Sequence, residues 1–439
     1  MPSDWASSRA STFARQGRSG DQPVGARSLI DVGELGPLWL LVAILAATVV
    51  VAIVAAGSSI PASVGLVLVG LAVSIVGPDI GLPIAPSLLL AIVLPGLVFE
   101  AAFRTDLRVL RPSAVTVLVL AVPGVIVVAA VVAAVLTVTT SLSPTEGFLV
   151  GAMVAATDPA AVLSTFRRVV VAPRLATMVE MESLVNDGTG IVLFALALEL
   201  LGGQASLGDA VVVFVVRVVG AGLLGVAAGW LAARVVRRVD DHLAELTITV
   251  TLAYGTYLAA EAAGLSGVIA TLVAAGTFGA LARDGLSPRA VEAIDVVWEF
   301  AAFLLTAAVF LLVGLSIAPD SLVLAAGAIG WGIVAVLIAR AVVVYGLVGG
   351  GSAFLRRIRR GSDGPAAPSD ALPRSWLHVL FWAGLRGAVS VALALSLPAD
   401  LPHRDLLQGI TFGIVLFTLI VQGSSTSWLV RRSGASSEG

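Results

Sequence analysis

Apolar residues fall along this chain in long blocks. They do not follow the 3.6-residue stripe of an amphipathic helix or the strict alternation of a half-buried strand. Each block is close to the 20 or so residues that a helix needs to cross a hydrocarbon layer. Thirteen such blocks can be placed, at roughly 37–56, 60–77, 84–103, 112–138, 147–166, 179–201, 208–232, 245–263, 266–282, 293–316, 321–348, 376–397 and 405–429. Several are as rich in valine as a strand would be. Open sheet edges cannot stand in hydrocarbon, so all are expected to be helices. The expectation is an all-α polytopic membrane protein with thirteen transmembrane helices.

Composition supports lipid as the solvent. Of 439 residues 58% are hydrophobic and only 12% charged, about half the charged share of a soluble domain. Cysteine is absent, which removes disulfide and thiolate chemistry. His242, His378 and His403 are too scattered to form a metal site. A net charge of -2 gives no reason to expect a nucleic-acid partner.

The basic residues are all arginine, and they alternate between loops. Arg104, Arg108 and Arg111 follow the third span, and Arg167, Arg168 and Arg174 the fifth. Arg234, Arg237 and Arg238 follow the seventh, and Arg283 and Arg289 the ninth. Arg356, Arg357, Arg359, Arg360 and Arg374 follow the eleventh, and Arg431 and Arg432 come after the last. The opposite loops carry little beyond Arg404. The positive-inside rule then places the C-terminus in the cytoplasm and the N-terminus outside the cell membrane. A polar tail over 1–36, expected to be disordered, runs against the rule with Arg9, Arg15, Arg18 and Arg27. The many later loops outweigh it. A short tail, 433–439, follows the membrane domain of 37–432.

Ionisable residues inside a membrane cost several kcal/mol and are functional candidates for that reason. The central ones are Glu100, Asp158, Glu182, Asp187, Arg340 and Arg386. With two arginines for four carboxylates, some acid must hold a proton or a cation. In the fifth span, Thr157-Asp158-Pro159 combines two helix-capping residues with a proline that interrupts the hydrogen-bond ladder. This reads as a helix that stops and restarts in mid-membrane; the plainer alternative is a kink that Asp158 caps. In the sixth span, Glu182-Ser183-x-x-Asn186-Asp187 gathers hard oxygen ligands within two turns, suited to an alkali ion. The alternative is a polar helix–helix contact. In the twelfth span, Gly384-Leu385-Arg386-Gly387-Ala388 suggests a second interrupted helix, or simple close packing through small residues. If the seventh span links two six-helix halves, the two interruptions fall at matching positions, as in transporters built from inverted repeats. Arg340, in the eleventh span, needs a buried acid partner, and Glu182 is the one assigned. Glu100 has Arg104 four residues away, so it can equally be an interfacial acid.

These segments, taken in order with Ile338-Ala339-Arg340, resemble the NhaP/NHE-type sodium/proton antiporters over about 37–430. The resemblance implies a homodimer of thirteen-helix protomers. Interface helices would lie at about 37–103 and 245–316, core helices at about 112–201 and 321–429, and a linker helix at about 208–237. It implies that Asp187 carries the ion and the proton, with Ser183, Thr157 and Asp158 completing the cation site and Glu100 approaching it. Asn186 would be held by Glu182 and Arg340; Asp158 and Arg386, from their places beside the two interruptions, are expected to offset opposite half-helix ends. No cofactor is implied beyond the transported Na⁺ and H⁺, with Li⁺ or K⁺ as possible alternatives. An Asn186 beside Asp187 implies electroneutral exchange. A potassium/proton antiporter of the same fold is the first alternative. A sodium-coupled organic-anion symporter comes next, with Arg386 as its one candidate anchor. No nucleophile–base or metal constellation suggests an enzyme.

Overall fold

The computed structural model describes residues 36–56, 61–76, 86–203, 206–317, 319–350 and 372–435. The N-terminal tail up to residue 35, the Arg356–Arg360 run and residues 436–439 lie outside the described residues, as do the expected span starts at 60 and 84. By its contacts the chain divides within its first helix. One unit is Met1–Ala43, of which only the start of that helix is described; the other, Ile44–Gly439, holds every other element.

All regular elements among the described residues are helical. The first group is α1 (Gly36–Ala56), α2 (Ala62–Val76), α3 (Pro86–Arg104), the single turn α4 (Leu107–Leu110), α5 (Ala114–Ala121) and α6 (Pro123–Thr139). Next come α7 (Pro144–Met153), α8 (Ala160–Phe166), α9 (Pro173–Leu201) and α10 (Leu207–Val236). They are followed by α11 (His242–Ala262), α12 (Gly267–Ala282), α13 (Pro288–Leu315), α14 (Pro319–Leu324) and α15 (Ala326–Ala341). The chain closes with α16 (Arg374–Trp382), α17 (Ala388–Leu395), α18 (Arg404–Phe417) and α19 (Ser424–Ser433). Wide π-helical turns, Val342–Gly350 and Thr418–Gly423, prolong α15 and join α18 to α19. Seven helices among the described residues are long and apolar enough to cross a membrane, and α2 and α12 are shorter apolar ones.

Several boundaries depart from the apolar blocks for identifiable reasons. The block at 112–138 bends where Val122 takes φ -114° and ψ -75°, because Pro123 has no N–H to give and its ring crowds the preceding turn. α9 and α13 begin earlier than expected, at Pro173 and Pro288. Proline suits the first helical position, and polar first turns can project beyond the hydrocarbon without shortening the helix. α7 starts on a capping box, in which the Glu146 N–H donates to Ser143 Oγ at 3.3 Å and the Ser143 N–H to Glu146 Oε2 at 2.7 Å.

The packing separates a lipid-type surface from a polar interior. α10 exposes Val211, Val212, Val216, Leu223 and Leu231. In water such a continuous apolar face is an aggregation liability; against acyl chains it costs nothing. The buried polar and charged residues include Thr157, Glu182, Ser183, Asn186, Arg340, Arg386, Ser390 and Thr418. These come from the stretch between α7 and α8, from α9, α15 and α17, from the turn before α17 and from the α18–α19 junction, so chemistry concentrates where those elements meet.

Candidate functional site

Two helices are broken, and their breaks touch. Residues 154–159 separate α7 from α8, and 383–387 separate α16 from α17. The Asp158 N–H donates to the Leu385 carbonyl at 2.8 Å, which ties one extended stretch to the other. The glycines of the second break are steric requirements. A Cβ on Gly387 would overlap the Asp158 carboxylate, and one on Gly384 would lie 2.8 Å from Arg340 Nε. Asp158 and Arg340 occupy the space that side chains at 387 and 384 would need.

Charges of matched sign sit at the exposed ends of the half-helices. Asp158 Oδ1 accepts from the Ala160 N–H at 2.9 Å, at the start of α8. Arg386 is completely buried. Its Nη1 donates to the Ala155 carbonyl at 2.6 Å and the Ala156 carbonyl at 3.2 Å, just past the end of α7. Arg340 donates from Nε and Nη2 to the Leu380 carbonyl, at 3.1 and 2.8 Å, in the last turn of α16. A carboxylate at a helix start and guanidiniums at helix ends oppose the helix dipoles correctly. They also satisfy backbone groups that a break leaves without partners.

α9 presents the remaining groups. Arg340 grips Glu182 through both carboxylate oxygens, at 2.7 and 3.0 Å, with side chains only 5% and 3% exposed. Asn186 Nδ2 donates to Thr157 Oγ1 at 2.6 Å and to Glu182 Oε1 at 3.3 Å, and its Oδ1 accepts from the Thr157 N–H at 3.0 Å. The Ser183 hydroxyl donates to the Thr157 carbonyl. Glu182, Ser183 and Asn186 together therefore fix the unwound turn at Thr157. Asp187 lies one residue beyond, and the charges acting on it are those of Asp158, Glu182 and Arg386. Its Oδ1 is buried and, among the described residues, has no hydrogen-bond partner. Each of the other two acids in this cluster is held by a donor. A buried carboxylate oxygen left in this state is costly unless a proton or cation completes it.

The structure brings Asp158, Thr157, Glu182, Ser183, Asn186, Asp187, Arg340 and Arg386 into one cluster and leaves Glu100 out. Glu100 Oε1 accepts from Arg104 Nη1 at 2.8 Å, one turn along α3, and Arg104 reaches Glu299 at 3.4 Å. A partner within the same helix neutralises Glu100 without bringing it to Asp187. Arg386 lies against the end of α7. Among the described residues it makes no ion pair, and its Nε and Nη2 have no partner; backbone carbonyls hold it instead. Sequence reasoning passed over two residues. Thr418 Oγ1 accepts from the Arg386 N–H at 3.0 Å, a hydroxyl hidden in an apolar block. Glu180, two residues before Glu182, lies within the fields of Glu100, Arg104 and Arg167; its signal was an acid among the residues of α9 that the span holds.

Comparisons with known proteins identify the family. The chain is 36% identical over 394 residues to the Na⁺/H⁺ antiporter NhaS2 of Synechocystis sp., covering 90% of this chain and 70% of that one. It is 37% identical over 382 residues to the Na⁺/H⁺ antiporter ApNhaP of Aphanothece halophytica, covering 85% and 70%. Its fold matches that of the sodium proton antiporter MjNhaP1 from Methanocaldococcus jannaschii with a TM-score of 0.68 at 21% identity, over 90% of this chain and 98% of that one. Residues 40–432 match the family model described as sodium/hydrogen exchanger, transmembrane, and the chain, an α-helical polytopic membrane protein, belongs to that family.

Proposed function

We propose that this chain exchanges sodium for protons across a bilayer at the Asp187 carboxylate, one ion for one proton. One atom carries the reading: Asp187 Oδ1, buried and, among the described residues, without a partner in a cluster whose other acids are held. A carboxylate in a partly dry site is poorly solvated as a bare charge. It holds a proton or a desolvated sodium ion, and not both. Ser183, Thr157 and Asp158 supply further oxygens for the ion, either directly or through water. Glu182, Asn186, Arg340 and Arg386 keep the broken helices in place.

Thirteen spans in two inverted six-helix repeats, with α10 as linker, suit alternating access by rocking of one bundle against another. The alternation of arginine loops supports a plasma-membrane protein with its N-terminus outside and C-terminus in the cytoplasm. The family resemblance supports a homodimer. Lithium is expected to replace sodium, and the same oxygen ligands could serve potassium.

The test is purified protein in vesicles that report internal pH. Adding sodium should move protons, and a series of lithium, sodium and potassium salts ranks the ions. Asp187→Asn should abolish the response while leaving a folded dimer, because an amide can neither release a proton nor offer sodium a full charge. Sodium-driven proton movement persisting in reconstituted Asp187→Asn would assign the carrier to another acid, with Asp158 next in line.

A further inference from the structure

Two charges stand alone in apolar runs, and the exchange reaction described above uses neither. Glu199 is the one charged residue of α9 after Asp187, and Arg217 the one charged residue of α10 between Asp209 and Arg234. A charge among valines and leucines in a spanning helix is expensive, which makes both functional candidates. They meet: Arg217 Nη2 donates to Glu199 Oε1 at 2.7 Å, with side chains 24% and 31% exposed. Glu199 lies twelve residues beyond Asp187, about 18 Å along the axis of α9, too far to touch the exchanging carboxylate.

The place of the pair matters more than its strength. Glu199 belongs to α9, which hydrogen bonds tie to Thr157 and to Arg340. Arg217 belongs to α10, which is seated on α12. A Cβ on Gly225 would lie 2.4 Å from the Ala270 carbonyl oxygen, and one on Gly229 2.4 Å from that of Ala274, so the two backbones are in contact. The Arg217 carbonyl also accepts from the Ser266 N–H, just ahead of α12, at 3.4 Å. α9 and α10 otherwise meet through an apolar cluster, Val192, Leu196 and Leu200 with Ala210, Val213 and Phe214. Apolar attraction is non-directional; the ion pair fixes one register. The other ion pairs among the described residues leave this boundary alone. Glu100, Arg104 and Glu299 link α3 to α13, Glu182 and Arg340 link α9 to α15, and Glu146 and His403 link α7 to the start of α18.

We infer that Glu199 and Arg217 form a latch that holds α9 against the α10–α12 pair in the conformation seen here and opens when α9 carries Asp187 to the opposite face. The inference rests on Asp187 being the exchanging carboxylate. Because α10 is packed backbone to backbone on α12, a shift of α9 along α12 is also a shift along α10, and a 2.7 Å contact between them is broken by it. Removing the pair takes a stabilising contact from one conformation and none from the other, so the population moves towards the opposite-facing form.

The experiment compares the wild type, Glu199→Gln, Arg217→Gln and the exchanged pair, Glu199→Arg with Arg217→Glu, in reconstituted vesicles with sodium titrated on each face in turn. A partly exposed ion pair is a modest one, so the population ratio should shift about two- to fivefold. Apparent affinity at a face falls with the fraction of protein that does not serve it. The half-saturating sodium concentration should therefore rise on one face and fall on the other, with the same signs in both single variants. The exchanged pair should return both faces towards the wild-type values. Arg217→Lys keeps the charge and changes its reach; it is the gentler variant where a glutamine impairs folding, and it should give a smaller shift of the same signs. Half-saturation unchanged at both faces, or moved in the same direction at both, overturns the latch and leaves exchange at Asp187 standing. So does an exchanged pair no closer to the wild type than the single variants. A wild type that moves no protons in response to sodium overturns the exchange reading and this inference with it.

Discussion

The Glu182–Arg340 pair gives the sharpest test of how the site is held. Its two hydrogen bonds, 2.7 and 3.0 Å, join side chains that are nearly fully buried. Replacing Arg340 with Met leaves the Glu182 carboxylate with one 3.3 Å bond from Asn186 and the Leu380 carbonyl without its guanidinium donors. Replacing Glu182 with Met leaves a buried guanidinium that has only the Leu380 carbonyl. Stranding one partner of such a pair costs roughly 3–5 kcal/mol. The double variant strands neither charge. It loses the bonds to Leu380, a penalty of about 1–3 kcal/mol, and gains two apolar side chains of similar length. The double variant should therefore be more stable than either single variant, with a coupling energy of about 2 kcal/mol or more. Denaturant titration of the purified protein in detergent, followed by tryptophan fluorescence, gives the four corners of the cycle. Additive losses, with the double variant least stable of all, would refute the pairing as an energetic unit.

Three further outcomes are expected. Gly387→Ala should reduce both folded yield and exchange, since the new Cβ would overlap the Asp158 carboxylate; overpacking of this kind typically costs about 1–3 kcal/mol, and wild-type activity in this variant would show that the two breaks can move apart freely. Exchange should be electroneutral, because Asn186 is neutral, Glu182 is paired and one carboxylate remains to titrate; sodium uptake driven by a potassium/valinomycin potential, without a sodium or pH gradient, would contradict this. Single cysteines introduced into the cysteine-free chain should be labelled from outside intact cells near residue 4 and only after permeabilisation near residue 358, and the reverse pattern would invert the topology.

The parts of this site that were legible in the sequence are those where residue type itself carries the physics. Asp158-Pro159 signals a break because proline cannot donate, and Gly384-x-Arg386-Gly387 signals another because nothing larger than hydrogen fits beside Arg340 and Asp158. Glu182, Ser183, Asn186 and Asp187 could be grouped by helical period alone. The acceptors that hold the two arginines were not legible. They are the carbonyls of Ala155, Ala156 and Leu380, and a backbone oxygen leaves no mark on the residue that bears it. Charge counting points an intramembrane arginine at an acid, which describes Arg340, while Arg386 lies against the end of a half-helix. For Glu100 the local cue, Arg104 one turn away, describes the structure better than the resemblance did. The contact of Thr418 depends on which neighbours its helix meets, and apolar blocks do not record that.

The hydrogen bonds also determine what can move. Asn186 and Ser183 of α9 hold Thr157 between α7 and α8. Arg386, ahead of α17, holds the end of α7, and Arg340 of α15 holds both α9 and the end of α16. The main chain of Asp158 bonds to that of Leu385. Separating any two of these elements would expose a buried charge or an unpaired backbone group, at several kcal/mol each. Against α12, by contrast, α9 meets an apolar side at Gly188 and Ile269, and sliding there breaks no hydrogen bond. A transport cycle that carries Asp187 between two faces therefore proceeds most cheaply if α7, α8, α9, α15, α16 and α17 travel as one body past α12. Rearranging the cross-linked ligands around a stationary ion would cost far more. A disulfide between cysteines introduced at 188 and 269, which fixes that apolar contact, should then stop exchange reversibly while leaving the folded protein intact. Full exchange in the oxidised, cross-linked protein would place the moving boundary elsewhere.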